Sequence, residues 1–197
     1  YFLDLNNGFC GCGTELFKTT NAGLNWQLVF TNVAPSPGPF AELLFLDLNN
    51  GFAALNGGKI GKTTNGGVNW NYTEFAPYTI YSLSFINSNT GAASGQMGAL
   101  YRTTDSGETW TIHATGTTSY LNTLYFTNSL TGFVAGASGF LRKTTNGGEN
   151  WNVLISSGTT RELFSINFVD QTTGLICGAI GTILRTTDEG NSWQNIN

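Results

Sequence analysis

Thr-Thr-Asn-Ala-Gly-Leu-Asn-Trp, at residues 19–26, is written four more times with small changes: at 63–70, 103–110, 144–151 and 186–193. All five tryptophans of the 197-residue chain stand in this phrase, at Trp26, Trp70, Trp110, Trp151 and Trp193, spaced 44, 40, 41 and 42 residues apart. A period near 40 with one turn phrase per unit is the mark of a small sheet repeated in an array. The phrase therefore decides the fold, and the rest of the chain aligns to it.

Working outward from each Trp, a shared Gly lies 18 or 19 residues upstream, at Gly8, Gly51, Gly91, Gly132 and Gly174. Six residues before that Gly stands a Phe (Phe2, Phe45, Phe85, Phe126, Phe168), and four before it an Asp or Asn (Asp4, Asp47, Asn87, Asn128, Asp170). Each unit reads as four short strands. The first alternates apolar positions, as in Leu43 and Phe45 or Ile166 and Phe168. An Asx-rich turn follows, where Asn and Asp tolerate left-handed backbone and Gly supplies positive φ. The second strand is small and apolar, as in Phe52 to Leu55, Phe133 to Gly136 and Leu175 to Gly178. The third runs into the Trp phrase, as in Lys59 to Thr64, Ala99 to Thr104 and Thr182 to Thr187. The fourth leaves from the Trp. Four antiparallel strands in about 41 residues make a propeller blade.

The fold class is all-β: a β-propeller of five four-stranded antiparallel blades in one domain spanning 1–197, with blades near 1–32, 40–75, 79–115, 120–156 and 161–197. An unclosed array leaves two apolar blade faces bare. A closed five-bladed ring is the preferred reading, with a segment of a larger propeller as its alternative. Blade one lacks about three residues of its first strand. Tyr1 falls inside a repeat, so the expectation is a native chain that extends upstream and carries further blades or domains. A sandwich also uses short strands, but nothing in it demands one turn phrase five times.

Composition narrows the function classes. Only 10% of residues are charged, 40% are hydrophobic, and Gly supplies 26. That is a turn-dense β composition able to bury a core. Net charge is −4 with eight Lys and Arg in all, which leaves no basic stripe for nucleic acid. No apolar run approaches the roughly 18 residues of a membrane helix, and no signal peptide is visible. Cys10, Cys12 and Cys177 are odd in number, so at least one lacks an intrachain partner. Cys10 and Cys12 share a strand face, an arrangement ill suited to a disulfide. The cysteines read as small buried residues on a crowded strand. With one His in the chain, no zinc site and no cofactor are expected.

The phrase resembles the Asp-box, or bacterial neuraminidase repeat, Ser/Thr-x-Asp-x-Gly-x-x-Trp. All five copies match at Thr, Gly and Trp. Two keep Asp (Asp105, Asp188) and three carry Asn (Asn21, Asn65, Asn146). In that family these residues are structural, and the physics agrees. The Asx side chain accepts backbone N–H groups and pins the turn, Gly permits a backbone closed to other residues, and the Trp staples the turn to the sheet. One Asx per turn is too few hard ligands for calcium. The longer pattern, Phe-x-Asp-x-x-x-Gly-Phe followed by Ile/Leu-x-Lys/Arg-Thr-Thr-Asn-Gly-Gly-x-x-Trp, is similar to the photosystem II stability/assembly-factor propellers and their secreted bacterial relatives. The phototroph members have seven blades, where this chain has five units.

Two groups of residues are candidates for function. A cation precedes Thr-Thr in every unit: Lys18, Lys62, Arg102, Lys143 and Arg185. The family resemblance implies a cationic patch that binds a partner, against which stands local use of each cation within the fold. The second group lies where the repeat breaks, in the connections at 31–41, 75–79, 114–120 and 156–162. These hold Pro35, Pro37, Gly38, Pro39 and Phe40, then Pro77 and Tyr78, then Thr118 and Tyr120, then Thr160, Arg161 and Glu162. Phe40, Tyr78, Tyr120, Arg161 and Glu162 are aromatic and charged groups of the kind that contact a protein or glycan. Asn71-Tyr72-Thr73 is a glycosylation sequon in a eukaryotic secretory context.

Catalysis finds no set of its own. Sialidases need an arginine triad, but two of the four arginines sit at the repeated cation position, and no Arg-Ile-Pro phrase is present. Paired glycosidase carboxylates would come from Glu42, Glu162, Asp47 and Asp170, none of which stands apart from the repeat. The sequence reads as a non-enzymatic scaffold, extracellular or at a bacterial cell surface, with periplasm or thylakoid lumen as alternatives. It binds a protein or glycan through its connecting loops. The other readings are an assembly factor for a membrane complex and a sialidase-like hydrolase.

Overall fold

The computed structural model describes residues 1–31, 38–75, 78–151 and 153–197, so the anticipated loop residues Pro35, Pro37 and Pro77 lie outside the described residues. The chain is all-β, in five antiparallel sheets. It divides into two compact units, Tyr1–Leu83 and Ser84–Asn197, and the division falls within the strand Ile80–Phe85.

The first unit holds two sheets. One pairs Gly8–Cys12, Glu15–Thr19 and Gln27–Thr31 in sequence order. The other pairs Phe40–Phe45, Gly51–Leu55, Lys59–Thr63 and Asn71–Glu74. The first sheet has three strands rather than four. Only Tyr1 and Phe2 stand in the place of its inner strand, and they make a single bridge, Phe2 to Gly8.

In the second unit the fourth sheet orders Leu121–Phe126, Gly132–Gly136, Leu141–Thr144 and Val153–Leu154. The fifth orders Leu163–Phe168, Gly174–Gly178, Ile183–Thr186 and Gln194–Asn195. The third sheet starts at the strand Ile80–Phe85 and continues through Gly91–Gly95, Leu100–Thr103 and Thr111–Ile112. Each sheet is a meander, which is why loops of a few residues suffice to connect its strands.

The cores lie between neighbouring sheets. In the first unit Phe9 and Leu16 of one sheet meet Phe45, Ala53, Leu55 and Trp70 of the next. In the second unit Ala92 and Leu100 pack with Leu121, Leu124, Val134 and Trp151, and Phe133 and Leu141 pack with Ile166, Phe168, Ile176 and Trp193. A strand covered on both faces has no side for polar residues. Gly51–Leu55, Gly91–Gly95 and Gly132–Gly136 are accordingly buried along their whole length and are built from Gly, Ala, Val, Phe, Leu and Ser.

The cysteines correct the sequence reading. All three are free and exposed. Gly11 faces Phe40 and Leu43 of the second sheet, so Cys10 and Cys12, one residue to either side, point the opposite way. Cys177 lies on the bare side of the fifth sheet, where burial alternates along Gly174–Gly178.

Candidate functional site

The five Trp phrases fold alike. In each, the first Thr hydroxyl donates to the Asx Oδ1, at 2.7 to 3.1 Å. The same hydroxyl accepts the N–H of the phrase glycine, at 2.9 to 3.0 Å. The Asx Oδ1 also accepts the N–H four residues on, at 2.9 to 3.0 Å. Each Trp stands against the Phe of its own sheet, with ring centroids 5.7 to 6.2 Å apart: Phe2–Trp26, Phe45–Trp70, Phe85–Trp110, Phe126–Trp151 and Phe168–Trp193. Four of the five pairs are close to edge-to-face, the favoured aromatic geometry.

One feature of the turn was not legible in its letters. The residue after the Asx is left-handed in every copy: Ala22, Gly66, Ser106, Gly147 and Glu189 have φ between 57° and 70°. Two copies use Gly there and three bear the cost of a side chain.

The Asp and Asn copies differ in what stands four residues on. Thr109 Oγ1 donates to Asp105 Oδ2 at 2.5 Å, and Ser192 Oγ to Asp188 Oδ2 at 2.6 Å. Asn copies present an amide nitrogen in that place, which cannot accept, and they carry Asn25, Asn69 and Asn150 instead. The hydroxyls come first among the hydrogen bonds that hold both Asp carboxyls down at about 2.

The phrase is also where neighbouring sheets are joined. Lys143 lies over the Phe133 ring at 5.5 Å and donates from Nζ to the Glu189 carbonyl and to Asn191 Oδ1 of the next sheet, each at 2.8 Å. Arg102 Nε donates to the Gly147 carbonyl of the next sheet at 2.9 Å. Lys18 lies over the Phe9 ring at 5.2 Å, with Nζ beside Gly66 of the next sheet. Gly66, Gly147 and Glu189 are one and the same position of the phrase. Lys62 is half-buried, and Arg185 is exposed.

The phrase glycine explains why this joint can close so tightly. A Cβ on Gly67 would stand 2.3 Å from Leu16 of the preceding sheet, and one on Gly190 would stand 2.4 Å from Phe133. Positive φ, at 87° and 71°, therefore meets a second demand for glycine. Aromatic stacking completes the joint. Phe9 lies on Phe45 with centroids 3.5 Å apart, and Phe133 lies on Phe168 at 5.0 Å.

The connections supply concave surface. In the second unit a cleft of about 880 Å³ is lined by Gly139 and Ile155 to Arg161, and one of about 800 Å³ by Gly98 and Ile112 to Thr118. They are built alike. Thr115 Oγ1 donates to the Gly98 carbonyl at 3.0 Å, and Ser157 Oγ to the Gly139 carbonyl at 2.8 Å. Thr-Gly-Thr-Thr at 115–118 and Ser-Gly-Thr-Thr at 157–160 carry this geometry, so these connections form a second repeat that the sequence reading treated as irregular.

The anticipated loop residues distribute as follows. In the first unit, Tyr78 is exposed, while Phe40 lies in a strand and packs on Trp70 at 6.0 Å. In the second unit, Tyr120 is exposed and Arg161 lines the larger cleft. Glu162 is held from the neighbouring strand, accepting from Asn122 Nδ2 at 2.9 Å.

The carboxylates weighed for glycosidase chemistry are engaged in the fold. Asp47 and Asp170 each accept two backbone N–H groups of their own turns at 2.7 to 2.8 Å. Glu42 accepts the Leu83 N–H and a Ser82 side-chain bond, while burial pushes its carboxyl up to about 7. It borders a cavity of about 230 Å³ with Tyr1, Cys10 and Phe40. Among the described residues no cluster of His, Cys, Asp and Glu could hold a metal ion, and no helix is long and apolar enough to cross a membrane.

Five meander sheets, each carrying an Asp-box turn, which in the second, fourth and fifth sheets receives the preceding sheet, define an Asp-box β-propeller protein. Residues 110–197 match the family model described as Photosynthesis system II assembly factor YCF48. The chain is a β-propeller of the Asp-box type, and over those residues it is similar to that assembly-factor family.

Solved structures agree on the fold. The chain is similar to YCF48 bound to D1 peptide (19% identity, TM-score 0.53, covering 99% of this chain and 80% of that one). It is similar to YCF48 from Cyanidioschyzon merolae (18% identity, TM-score 0.74, covering 92% and 66%). It is also similar to the GH74 enzyme of Niastella koreensis (17% identity, TM-score 0.74, covering 96% and 36%). The chain thus spans about two thirds of the second and about a third of the third. At these identities the likeness carries the fold alone. No curated protein matches the chain in sequence.

Proposed function

We propose that this protein is a non-enzymatic scaffold that holds a protein segment on its strand-connecting face, in the manner of an assembly factor. The observation that carries this reading is the pair of equivalent clefts at Gly98 and Gly139, with their backbones fixed by Thr115 and Ser157. Two like clefts on successive blades suit an extended chain that meets the same surface twice. Tyr120 and Arg161 supply the aromatic and cationic groups that dominate protein contacts, and Glu162 extends the contact; Phe40 and Tyr78 are contact candidates of the first unit, taken by itself. The match of residues 110–197 to an assembly-factor family supports it, as does the D1 peptide bound by one structural neighbour.

The test is selection of ligands on the immobilised chain from a random peptide display library, beside a glycan array. Enrichment of peptides whose affinity falls at least about tenfold in a Tyr120→Ala/Arg161→Ala chain is the expected result. Glycan binding without peptide enrichment contradicts the reading, and so does turnover on a broad panel of glycosides.

A further inference from the structure

Five Asn-Gly pairs occur in the chain: Asn7-Gly8, Asn50-Gly51, Asn56-Gly57, Asn65-Gly66 and Asn146-Gly147. Asparagine is a chemically labile residue, and most so before glycine, whose amide no side chain shields. The reaction needs two freedoms. The carboxamide must turn its Cγ toward the next amide nitrogen, and that nitrogen must be free to attack. Four pairs lack them. The Asn7 carboxamide donates to both Asp4 carboxylate oxygens, at 3.0 and 2.8 Å, and Asn50 Nδ2 donates to Asp47 Oδ2 at 2.7 Å. Gly8 and Gly51 are buried in their strands, opposite Thr19 and Thr63. Asn65 Oδ1 accepts from Thr63 Oγ1 and the Asn69 N–H, and Asn146 Oδ1 from Thr144 Oγ1 and the Asn150 N–H. Their glycine amides are also engaged. Gly66 donates to the Asn49 carbonyl at 2.9 Å and Gly147 to the Leu130 carbonyl at 2.8 Å.

The fifth pair has both. Asn56 and Gly57 are exposed in the turn between the strands Gly51–Leu55 and Lys59–Thr63. Gly57 and Gly58 are left-handed, with φ at 84° and 75°. No described atom lies within 4 Å of where a Cβ on Gly57 would stand, so the approach to this amide is open. The Asn56 N–H donates to the Pro39 carbonyl at 3.3 Å, which anchors its main chain. Neither the Asn56 carboxamide nor the Gly57 N–H makes a hydrogen bond with any described residue. Aligned on the repeat, the same turn reads Gln96-Met97, Ala137-Ser138 and Ala179-Ile180 in the later sheets, so the pair belongs to the second sheet's turn and not to the repeat.

We propose that Asn56 is a site of spontaneous covalent modification, where the folded chain deamidates ahead of its other Asn-Gly pairs. The Gly57 nitrogen gives its proton to hydroxide and bonds to Asn56 Cγ. The bond from Cγ to the side-chain nitrogen breaks, and that nitrogen takes a proton from water and leaves as ammonia. Water then adds to one carbonyl of the cyclic imide and opens the ring. Opening at one carbonyl gives aspartate, and at the other isoaspartate, with no oxidant or reductant consumed. Either product puts a carboxylate at the turn, and isoaspartate also lengthens the main chain by a methylene ahead of Gly57. The fold makes the choice, because it ties up the carboxamides of the other four asparagines in their own turns.

Incubation of the whole chain at mildly alkaline pH, followed by peptide mapping, tests this. Mass spectrometry reads the gain of about 1 Da at each pair, and labelling by an isoaspartate methyltransferase reads the isoaspartate. In the folded chain Asn56 should convert at least about tenfold faster than any of the other four, which react only after local opening. In urea the hydrogen bonds are gone, and the five pairs should convert at similar rates. Asn56→Gln should remove the fast phase and leave the slow ones in place. Faster conversion at another Asn-Gly pair of the folded chain overturns the proposal. So does a fast phase that survives in Asn56→Gln, or a preference for Asn56 that persists unchanged in urea, since the fold would then not be its cause.

Discussion

Lys143 Nζ and the Glu189 carbonyl lie 2.8 Å apart across two neighbouring sheets. The lysine is buried. Burial lowers its pKa, and Glu189 and Asp188 draw it back in part. A buried ammonium with two acceptors, both on the next Asp-box turn, ties one blade to another.

Lys143→Met should therefore cost about 2 kcal/mol, the scale of hydrogen bonds to a charged group. Arg185→Met, at the same repeat position but exposed, should change stability by less than about 0.5 kcal/mol in dilute solution. Urea unfolding of the two variants side by side checks the contrast.

The acidic Asp-boxes predict a pH effect. Asp105 and Asp188 are held at about 2 by Thr109 and Ser192. A depressed carboxyl stabilises the fold above the unfolded pKa, near 4, and that stability is lost as pH falls toward 2. Thr109→Val should raise the Asp105 pKa in an NMR titration and leave that of Asp188 in place. Asp105→Asn should cost more alone than with Thr109→Asn, which rebuilds the pairing of Asn65 with Asn69.

Glu42 predicts the opposite slope. Its carboxyl is raised to about 7 by burial, so the folded state holds a proton that the unfolded chain releases above about 4.5. Its contribution is full below that value and fades as pH rises through 7. Glu42→Gln should flatten stability between pH 5 and 8, roughly the span of that titration. Denaturation midpoints at the two ends measure it.

Ile180 is a β-branched residue with φ at 54° on an exposed turn. Left-handed backbone costs such a residue about 1–2 kcal/mol. Ile180→Gly should raise stability by roughly 1 kcal/mol after the entropy of the added glycine, as a rise in thermal midpoint reports.

These residues also show what the sequence makes legible. The five Trp phrases, with their Phe and Gly partners, suffice for blades, because each contact they imply is local: Thr19 to Asn21, or Phe45 to Trp70. The joints between blades are not local. Lys143 meets Asn191 across 48 residues, and nothing in Lys-Thr-Thr says that the ammonium leaves its own sheet. The left-handed residue after the Asx was hidden because Ala22, Ser106 and Glu189 occupy it as well as glycine. The cleft repeat at 115–118 and 157–160 was in plain letters, and aligning the connections as well as the blades would have found it. The cysteines were misplaced because a crowded strand is crowded only where a neighbouring sheet covers it, and Cys177 sits on a bare face.

The most direct test of the joint is a double-mutant cycle between Lys143 and Asn191. The single variants are Lys143→Met and Asn191→Ala, and unfolding is followed in urea. A contact across the joint predicts a coupling energy of about 1 kcal/mol or more. Additive losses, with coupling indistinguishable from zero, would contradict the claim that Lys143 stitches its blade to the next.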